Sequence, residues 1–269
     1  RGRLLALSDP YRHQQGLVIM YDIKDEIAKG FALKGKKMWP TYTGRNLDRH
    51  KFVTSSEILN CARRIKYEKD WGEAQYVLNK STDMPFPNWG FAERGNLIED
   101  WIVDMLRLAG HDLVHAGSDQ VSFFIGAQSG TPDGMEEFKQ GYWVHEFKSI
   151  DPRTATRNLP KPNHIAQLQQ NMDLVAACKD KPVYGGSLFY IDASNLQRCF
   201  QFDVEPDHKY QAELQARAEM IVAADTPADL PNEGMFNGDC DRCGFTAECS
   251  RLVAGDFNGL QNAGKGVFK

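Results

Sequence analysis

One β-hairpin constrains the fold of this 269-residue chain more than any other feature of its sequence. Residues 135–138 and 142–149 are predicted to be strands, and residues 139–141, Lys-Gln-Gly, suit the turn between them. A turn centred near Gln140 places Asp133 opposite Phe147, with an uncertainty of about one residue in register. The hairpin therefore decides which side chains of the two strands lie together.

This hairpin brings two carboxylates and an amine together. Glu146 and Lys148 lie two residues apart on the second strand, so their side chains project from one face and Phe147 points to the other. Asp133, in the sequence Thr-Pro-Asp-Gly, lies beside them. Carboxylates bind Mg²⁺ or Mn²⁺, a bound metal acidifies an attacking water, and a lysine can orient that water. The pattern predicts phosphodiester hydrolysis; the alternative is a common turn sequence followed by a solvated Glu–Lys salt bridge.

Residues 95–109 form the clearest amphipathic helix of the sequence. Glu99 lies at the margin of its apolar face, from which it could complete a metal site; the alternative is a surface acid. At about 100° per residue, the residues on the apolar face are Leu97, Ile98, Trp101, Ile102, Met105, Leu106 and Ala109.

Three of the six cysteines lie within ten residues near the end of the sequence. Their spacing, C-x₂-C-x₅-C, favours metal ligands over free thiols. A tetrahedral sulfur site needs a fourth ligand, for which Cys61 is the best candidate. Cys178 and Cys199 fall in an expected core helix and strand, where a lone cysteine behaves as a small hydrophobe. Zinc and a [4Fe-4S] cluster both accept four thiolates, and the spacing leaves both open.

The other predicted elements alternate between helices and strands. Proline, glycine, asparagine and aspartate dominate from Thr226 onward, so the cysteine cluster is expected in a loop. The elements are a short helix near residues 21–34, a helix at 54–69 capped by Ser55 or Ser56, a loop at Pro85 and Pro87, a strand at 121–127, a helix at 163–178, strands at 186–193 and 199–204, and a helix at 206–224.

Composition excludes several classes of protein. No apolar run of about 18 residues is present, so neither a transmembrane helix nor a membrane partner is expected, and a cytoplasmic protein is the simplest interpretation. Hydrophobic residues make up 42% of the chain and charged residues 25%, which argues against wholesale disorder. The net charge of −4 argues against a protein that coats itself in DNA, but it allows an enzyme with a local basic track.

Over about residues 54–250, the sequence resembles PD-(D/E)xK nucleases of the RecB-like branch that carry iron–sulfur clusters. This branch includes the CRISPR-associated RecB-like exonucleases and the nuclease domain of AddB. The shared features, in the family's order, are Ser56-x₄-Cys61-x-Arg-Arg-x₂-Tyr67, Gly95-x₃-Glu99, Pro132-Asp133-Gly134, Glu146-Phe-Lys148-Ser149, His164-x₂-Gln167-Leu168 and the final C-x₂-C-x₅-C.

The resemblance implies a role for each matching residue. Asp133 and Glu146 would bind Mg²⁺ or Mn²⁺, and Lys148 would be catalytic. Gln167 would contact the substrate or position the lysine. The candidate metal ligands are Glu99, Asp133, Glu146 and Phe147, and the ligands of a [4Fe-4S] cluster would be Cys61, Cys240, Cys243 and Cys249.

Two positions depart from the family's pattern. Glu99 stands where RecB-like members usually have histidine, which is more similar to the lambda-exonuclease and YqaJ-type phage recombination nucleases. Asn171 replaces the tyrosine of the family's Gln-x₃-Tyr. The first departure bears on the preferred metal, and the second bears on contacts to the DNA strand. A phage or CRISPR-type context is suggested.

The resemblance implies an α/β, restriction-endonuclease-like fold, a central mixed sheet flanked by helices, with an iron–sulfur clasp joining the N- and C-terminal parts. The expected segments are an accessory segment at 1–53, a helical segment with the first cluster cysteine at 54–94, a nuclease core at 95–225 and a cysteine-cluster segment at 226–269.

The expected function is hydrolysis of DNA, exonucleolytic and on single strands or DNA ends, in recombination, repair or CRISPR adaptation. The alternative is a catalytically idle DNA- or protein-binding module that keeps the fold and the cluster. A ring-shaped oligomer would suit an exonuclease, but the sequence does not predict one. The candidate DNA contacts are Arg63, Arg64, Tyr67, Arg153, Arg157, Lys161 and His164, with Trp143 as a second aromatic that could stack on bases.

Overall fold

The computed structural model of the chain describes residues 51–70, 89–234, 240 and 243–253. The predicted helix near residues 21–34, the loop at Pro85 and Pro87 and most of the accessory segment lie outside the described residues. No helix within the described ranges is both long and apolar enough to cross a bilayer.

A five-stranded mixed sheet forms the centre of the described structure. Its strand order is β2-β5-β6-β7-β8, in which β6 and β7 run parallel and the other neighbours are antiparallel. A smaller sheet has the order β1-β4-β3. The strands are β1 (Val53–Thr54), β2 (Leu113–Val114), β3 (Phe123–Ile125), β4 (Gln128–Gly130), β5 (Gly134–Phe138), β6 (Gly141–Ile150), β7 (Val183–Asp192) and β8 (Asn195–Val204).

Helices cover both faces of the large sheet. Helix α2 (Trp89–Leu108) buries Ile98, Ile102 and Val103 against one face of β6 and β7. Helix α3 (Pro162–Cys178) buries Leu168 and Met172 against the other. The remaining helices are α1 (62–70), α4 (His208–Ala223), which packs on α3, and α5 (Thr246–Val253). The expected mixed sheet flanked by helices is confirmed.

The β5–β6 hairpin forms as predicted, with its register shifted by one residue. Phe138 pairs with Gly141 and Gly134 pairs with His145, so the loop consists of Lys139 and Gln140 alone. Continued by one residue, this register sets Asp133 opposite Glu146 rather than Phe147. The difference lies within the stated uncertainty, and it brings the two carboxylates closer than the prediction did.

The helix predicted at residues 54–69 begins later than expected. Residues 53–54 form β1, which pairs in parallel with β4, and a turn follows before helical structure starts at residue 62. The predicted cap at Ser55 or Ser56 is therefore wrong. Ser55 is buried against the β4 backbone, because its amide donates to the Ser129 carbonyl at 2.8 Å. Pairing with a distant strand overrode the local helix preference.

Helix α2 buries a narrower stripe than its sequence pattern predicts. Leu97 and Trp101 remain 61% and 39% exposed, and Met105 is 39% exposed, although all three belong to the predicted apolar face. The buried stripe is Ile98, Ile102 and Val103, the last of which was not predicted.

Two expectations about cysteines are also wrong. Cys178, the last residue of α3, and Cys199, on β8, are exposed rather than buried in the core. The C-terminal cysteines do not all lie in loop, because Cys249 is part of α5. Cys178 and Cys199 do not line the cavity that contains Cys61 and the C-terminal cysteines.

A bidentate ion pair joins α1, α4 and the segment that leads to the C-terminal cysteines. The Arg217 guanidinium donates to both oxygens of Glu233 at 2.6 Å and to the carbonyls of Ile58 and Asn60 at 2.7 and 2.8 Å. Glu233 Oε2 also accepts the Ala62 amide at 3.0 Å, which caps the N-terminus of α1. Forked arginine–carboxylate pairs of this kind are among the stronger polar contacts in proteins.

Glu233→Gln is expected to lower the free energy of unfolding by about 1–3 kcal/mol near neutral pH, because it leaves the Arg217 guanidinium without its charged partner. Burial raises the pKa of Glu233, but the hydrogen bonds from Arg217 and from the Ala62 amide outweigh it, so the net pKa is lowered from 4.5. The stabilisation is therefore complete above about pH 4.5 and is lost as pH falls through the lower, folded-state value.

Urea unfolding of both proteins between pH 3 and pH 7 measures this difference. Glu213→Gln on the solvent side of α4 is the matched control, because Glu213 is 60% exposed and lies 3.9 Å from Lys209. A difference for Glu233→Gln no larger than for this control would contradict the role of the ion pair.

Candidate active site

Glu146 and Lys148 lie together on the face of β6 that α3 covers. Glu146 is fully buried, and the Lys148 ammonium donates to its Oε1. Its other oxygen, Oε2, accepts the Nδ2 amide of Asn171 at 3.0 Å. Asn171 is fully buried on α3, so a strand and a helix together fix the Glu146 carboxylate.

Asp133 reaches the same place from the start of β5. Its amide donates to the His145 carbonyl at 3.2 Å, which continues the hairpin by one hydrogen bond. Its Oδ2 accepts the Phe147 amide at 2.7 Å. The Phe147 ring packs on the opposite face, with Ile98 and Ile191, so only the backbone of Phe147 faces the carboxylates.

Glu99 approaches from α2, on the other side of the sheet. The Gln120 amide donates to its Oε1 at 2.6 Å and holds the carboxylate in place. Burial and the negative charge of Asp133 raise the pKa of Glu99 to about 8, and Lys148 opposes that shift. The charges of Asp133 and Lys148 therefore act on the Glu99 carboxylate from across the end of the hairpin.

The cluster is short of positive charge. Burial, followed by the charge of Asp133, raises the pKa of Glu146 to about 8. Burial also raises the pKa of Asp133, against the effects of Lys148 and the Phe147 amide. Burial lowers the pKa of Lys148, but Glu146 and Asp133 outweigh it and the net pKa is raised. Three crowded carboxylates with one ammonium form a donor set that a divalent cation fits, because its charge would favour their ionised forms.

The carboxylate oxygens are engaged within the protein in this arrangement. No group of three or more His, Cys, Asp or Glu in the described residues is arranged to hold a metal ion directly. Lys148 occupies Oε1 of Glu146 and the Phe147 amide occupies Oδ2 of Asp133. Metal binding at these residues would therefore need Lys148 to move away from Glu146, a rotation of one flexible side chain that is 22% exposed.

Helix α3 carries Gln167 one turn before Asn171. Gln167 is 9% exposed, and its side chain makes no hydrogen bond with any residue in the described ranges. Its expected contact with the substrate or with Lys148 therefore stays a prediction. Asn171, which stands where the resembled family has tyrosine, donates to Glu146, so this departure from the pattern bears on the Glu146 carboxylate.

The candidate DNA contacts divide into two groups. Arg153 and Arg157 are exposed and Lys161 and His164 are partly exposed, all on the loop and helix start that follow β6. Arg63 donates to the Leu230 carbonyl at 2.7 Å and to Cys249 Sγ at 3.6 Å, and Arg64 pairs with Glu68 at 2.7 Å. The second group therefore belongs to the surroundings of the cysteines.

The two aromatic candidates for base stacking differ in their surroundings. The Tyr67 ring is 1% exposed and stacks on Phe245, with ring centroids 5.0 Å apart, so it is not open to a DNA base in this arrangement. Trp143 is partly buried and projects from the face of β6 opposite to Glu146, and its indole donates to Ser187 Oγ at 2.8 Å. Its role in base stacking stays a prediction.

Four cysteines from the two ends of the described chain line one cavity. Cys61 precedes α1, and Cys240, Cys243 and Cys249 belong to the C-terminal segment. All four side chains are partly buried. Burial raises the pKa of Cys243, in part against a hydrogen bond from the Phe245 amide. Iron–sulfur clusters and zinc accept thiolate ligands of this kind, but within the described residues these thiols do not form a group arranged to hold a metal ion.

Sequence reasoning missed two residues at the site, Gln120, which holds Glu99, and Tyr190, which pairs in register with Lys148. It related Asn171 to contacts with the DNA strand and missed its hydrogen bond with Glu146. The spacing of four residues from Gln167 places Asn171 on the same side of α3 and could have indicated it. Gln120 lies in a loop and carries no sequence signal.

One comparison with a solved structure supports the fold. The chain is similar to the structure named SSO0001, with 17% identity, a TM-score of 0.52, and coverage of 81% of this chain and 93% of that one. An alkaline exonuclease from Laribacter hongkongensis, LHK-Exo, matches with 18% identity, a TM-score of 0.44, and coverage of 65% of this chain and 88% of that one. The same exonuclease in complex with dAMP matches with a TM-score of 0.43. No protein-family model matches the sequence. No curated protein matches it either.

Gly130→Ala is expected to disturb the site through Asn171. A Cβ at Gly130 would lie 2.2 Å from Asn171 Oδ1 and 2.7 Å from Leu174 Cδ1, so the amide that holds Glu146 must shift. A loss of stability of about 1–3 kcal/mol and weaker Mn²⁺ binding are expected. Thermal unfolding and a Mn²⁺ titration followed by electron paramagnetic resonance measure the two effects.

Gly95→Ala is the matched control, because a Cβ there meets nothing within 4 Å and alanine favours the helix that contains it. It should leave Mn²⁺ binding unchanged and stability equal or higher. Equal Mn²⁺ binding by Gly130→Ala and Gly95→Ala would contradict the role of Asn171.

Proposed function

We propose that the protein is a metal-dependent DNA nuclease with a restriction-endonuclease-like core of the PD-(D/E)xK type. The observation that carries the proposal is the convergence of Asp133, Glu146 and Lys148, with Glu99, at the open end of one hairpin. A fully buried carboxylate, Glu146, beside two partly buried ones destabilises a fold unless the group serves a cation or a reaction. A structural salt bridge would need only one carboxylate beside Lys148.

Each side chain has a role that its position supports. Asp133, Glu146 and Glu99 would hold Mg²⁺ or Mn²⁺, together with the backbone of Phe147. The ion would supply positive charge at the phosphate and at a water. Lys148, released from Glu146 Oε1, would orient the attacking water and offset the charge that develops on the phosphoryl oxygens. Asn171 would keep Glu146 in place throughout, because its bond uses the other oxygen.

We further propose a [4Fe-4S] cluster on Cys61, Cys240, Cys243 and Cys249, with zinc as the alternative. The support is that four thiols from distant parts of the sequence line one cavity. Arg63 donates to Cys249 Sγ at 3.6 Å, so a positive charge lies beside one of the four thiols. Such a site would join the start of α1 to α5 and act as a structural clasp rather than a redox centre.

The finer assignment follows the sequence resemblance. By that resemblance, the proposed protein is a RecB-like exonuclease that acts in the cytoplasm on single-stranded DNA or DNA ends. Its proposed context is recombination, repair or CRISPR adaptation, with a phage origin as one option. Arg153, Arg157, Lys161 and His164 support a DNA path, because they follow β6 directly and lie outside the core. Charges of this kind contact phosphates and carry no sequence preference.

Lys148→Ala and Glu146→Gln should each lower the rate of DNA cleavage by about a hundredfold or more, as expected when a charge that stabilises the transition state is removed. The assay uses end-labelled single strands of each polarity, with Mn²⁺, with Mg²⁺ and with a chelator. Lys181→Ala, a surface lysine paired with Glu137, is the matched control. Cleavage by either site variant at the wild-type rate would remove the assignment.

Protein purified without oxygen should absorb broadly near 400 nm and contain about four iron atoms per chain if the four thiols hold a [4Fe-4S] cluster. Cys61→Ser should lose the absorbance and the iron. Cys178→Ser, which changes an exposed thiol outside the cavity, should keep both. A colourless protein with one zinc per chain would establish the alternative, and a protein with neither metal would contradict both.

A further inference from the structure

A buried tyrosine and a partly exposed histidine lie beside the candidate catalytic lysine. Tyr190, on β7, is fully buried and pairs in register with Lys148. In a parallel pair, residues in register project from the same face, so the Tyr190 ring lies on the α3 side of the sheet, beside Lys148. His164, in the first turn of α3, lies against this ring at 5.6 Å between centroids.

The hydrogen bonds of Tyr190 leave one arrangement of protons. Its hydroxyl oxygen accepts the Lys161 amide at 3.1 Å, and it lies 2.9 Å from Nδ1 of His164. A hydroxyl has one hydrogen, and no other acceptor for it occurs among the described residues. If Nδ1 of His164 were the donor, the buried hydroxyl hydrogen of Tyr190 would have no partner, which costs about 1–3 kcal/mol. The tyrosine therefore donates to Nδ1.

The ring of His164 is consequently neutral and protonated on its other nitrogen. Burial, and the positive charges of Lys148 and Lys161, lower the pKa of His164 to about 4. A neutral ring that accepts at Nδ1 carries its hydrogen on Nε2. Nε2 has no hydrogen-bond partner in the described part of the chain, so it is a donor open to a ligand.

We propose that Tyr190 is a positioning residue that fixes the tautomer of His164, so that His164 Nε2–H donates to a non-bridging oxygen of a substrate phosphodiester beside Lys148. The inference rests on the proposed function and deepens it. His164 does not act as a general base, because Nδ1 accepts from Tyr190 and Nε2 already carries a hydrogen. It binds the strand, and a neutral donor can do so without adding positive charge next to Lys148.

The tautomer can be measured without any reaction. In the full chain labelled with ¹⁵N-histidine, long-range proton–nitrogen correlation spectra show which ring nitrogen of each of the 7 histidines is protonated. His164→Gln identifies the signals of His164 by their loss. The Nε2–H form is expected, and Tyr190→Phe should convert the ring to a mixture of forms.

Tyr142→Phe is the matched control for this measurement. Tyr142 is also a buried tyrosine on the sheet, but its hydroxyl donates to Asp180 at 3.1 Å, away from His164. It should leave the His164 signals unchanged. An Nδ1–H form in the wild type, or a His164 signal that Tyr190→Phe leaves unaltered, would overturn the positioning role.

The phosphate contact is tested by binding in the Lys148→Ala background, where cleavage does not interfere. Fluorescence anisotropy with single-stranded oligonucleotides, 5′-phosphorylated or with a free 5′-hydroxyl, distinguishes an internal phosphodiester from a terminal phosphate. His164→Ala and Tyr190→Phe should each weaken binding about threefold to tenfold, the effect of one hydrogen bond. The double variant should bind no more weakly than His164→Ala, because Tyr190 acts through His164.

Four outcomes would contradict this part. Binding unchanged by His164→Ala overturns the phosphate contact while leaving the nuclease proposal intact. Additive losses in the double variant show that Tyr190 does not act through His164. A wild-type protein that binds no single-stranded DNA overturns the proposed function and this inference together. If His164→Ala weakens binding only to the 5′-phosphorylated strand, the contact is with a terminal phosphate, and the proposed contact with an internal phosphodiester is wrong.

Discussion

The antiparallel pairing of β5 with β6 is the constraint on which the candidate site depends. Each step of this ladder fixes which side chain of one strand faces which of the other, and Asp133 continues it by donating its amide to the His145 carbonyl. A slip of one residue would send Glu146 and Lys148 to the face that α2 covers, because side chains alternate along a strand. The two-residue loop at Lys139 and Gln140 leaves little freedom for such a slip.

The remaining parts of the site come from elements that only the tertiary structure brings together. Helix α3 supplies Asn171 to one oxygen of Glu146, while α2 supplies Glu99 from the opposite side of the sheet. These helices cover the carboxylates and so remove them from water, which raises the pKa of Glu99 and Glu146 to about 8. The same burial that makes the cluster unfavourable without a cation would strengthen its hold on one.

A second set of long-range contacts brings the four cysteines to one cavity. Arg217 and Glu233 bind the start of α1, the carbonyls before it and the segment at residues 230–233 to one another. These contacts join the segment that precedes α1 to the segment that leads to the C-terminal thiols. A metal cluster on the four cysteines would add a second link between the same two parts of the chain.

The sequence by itself determined the local elements and the chemistry of the site. Two short strands joined by a Lys-Gln-Gly turn predicted the hairpin and its three polar residues, and α3, β7, β8 and α4 were found within a few residues of their observed ends. The sequence did not determine β1, the exposure of Leu97 and Trp101, or the contacts of Asn171 and Tyr190. Those depend on which distant surfaces meet, and hydrophobic periodicity reports only that a face is apolar, not what covers it.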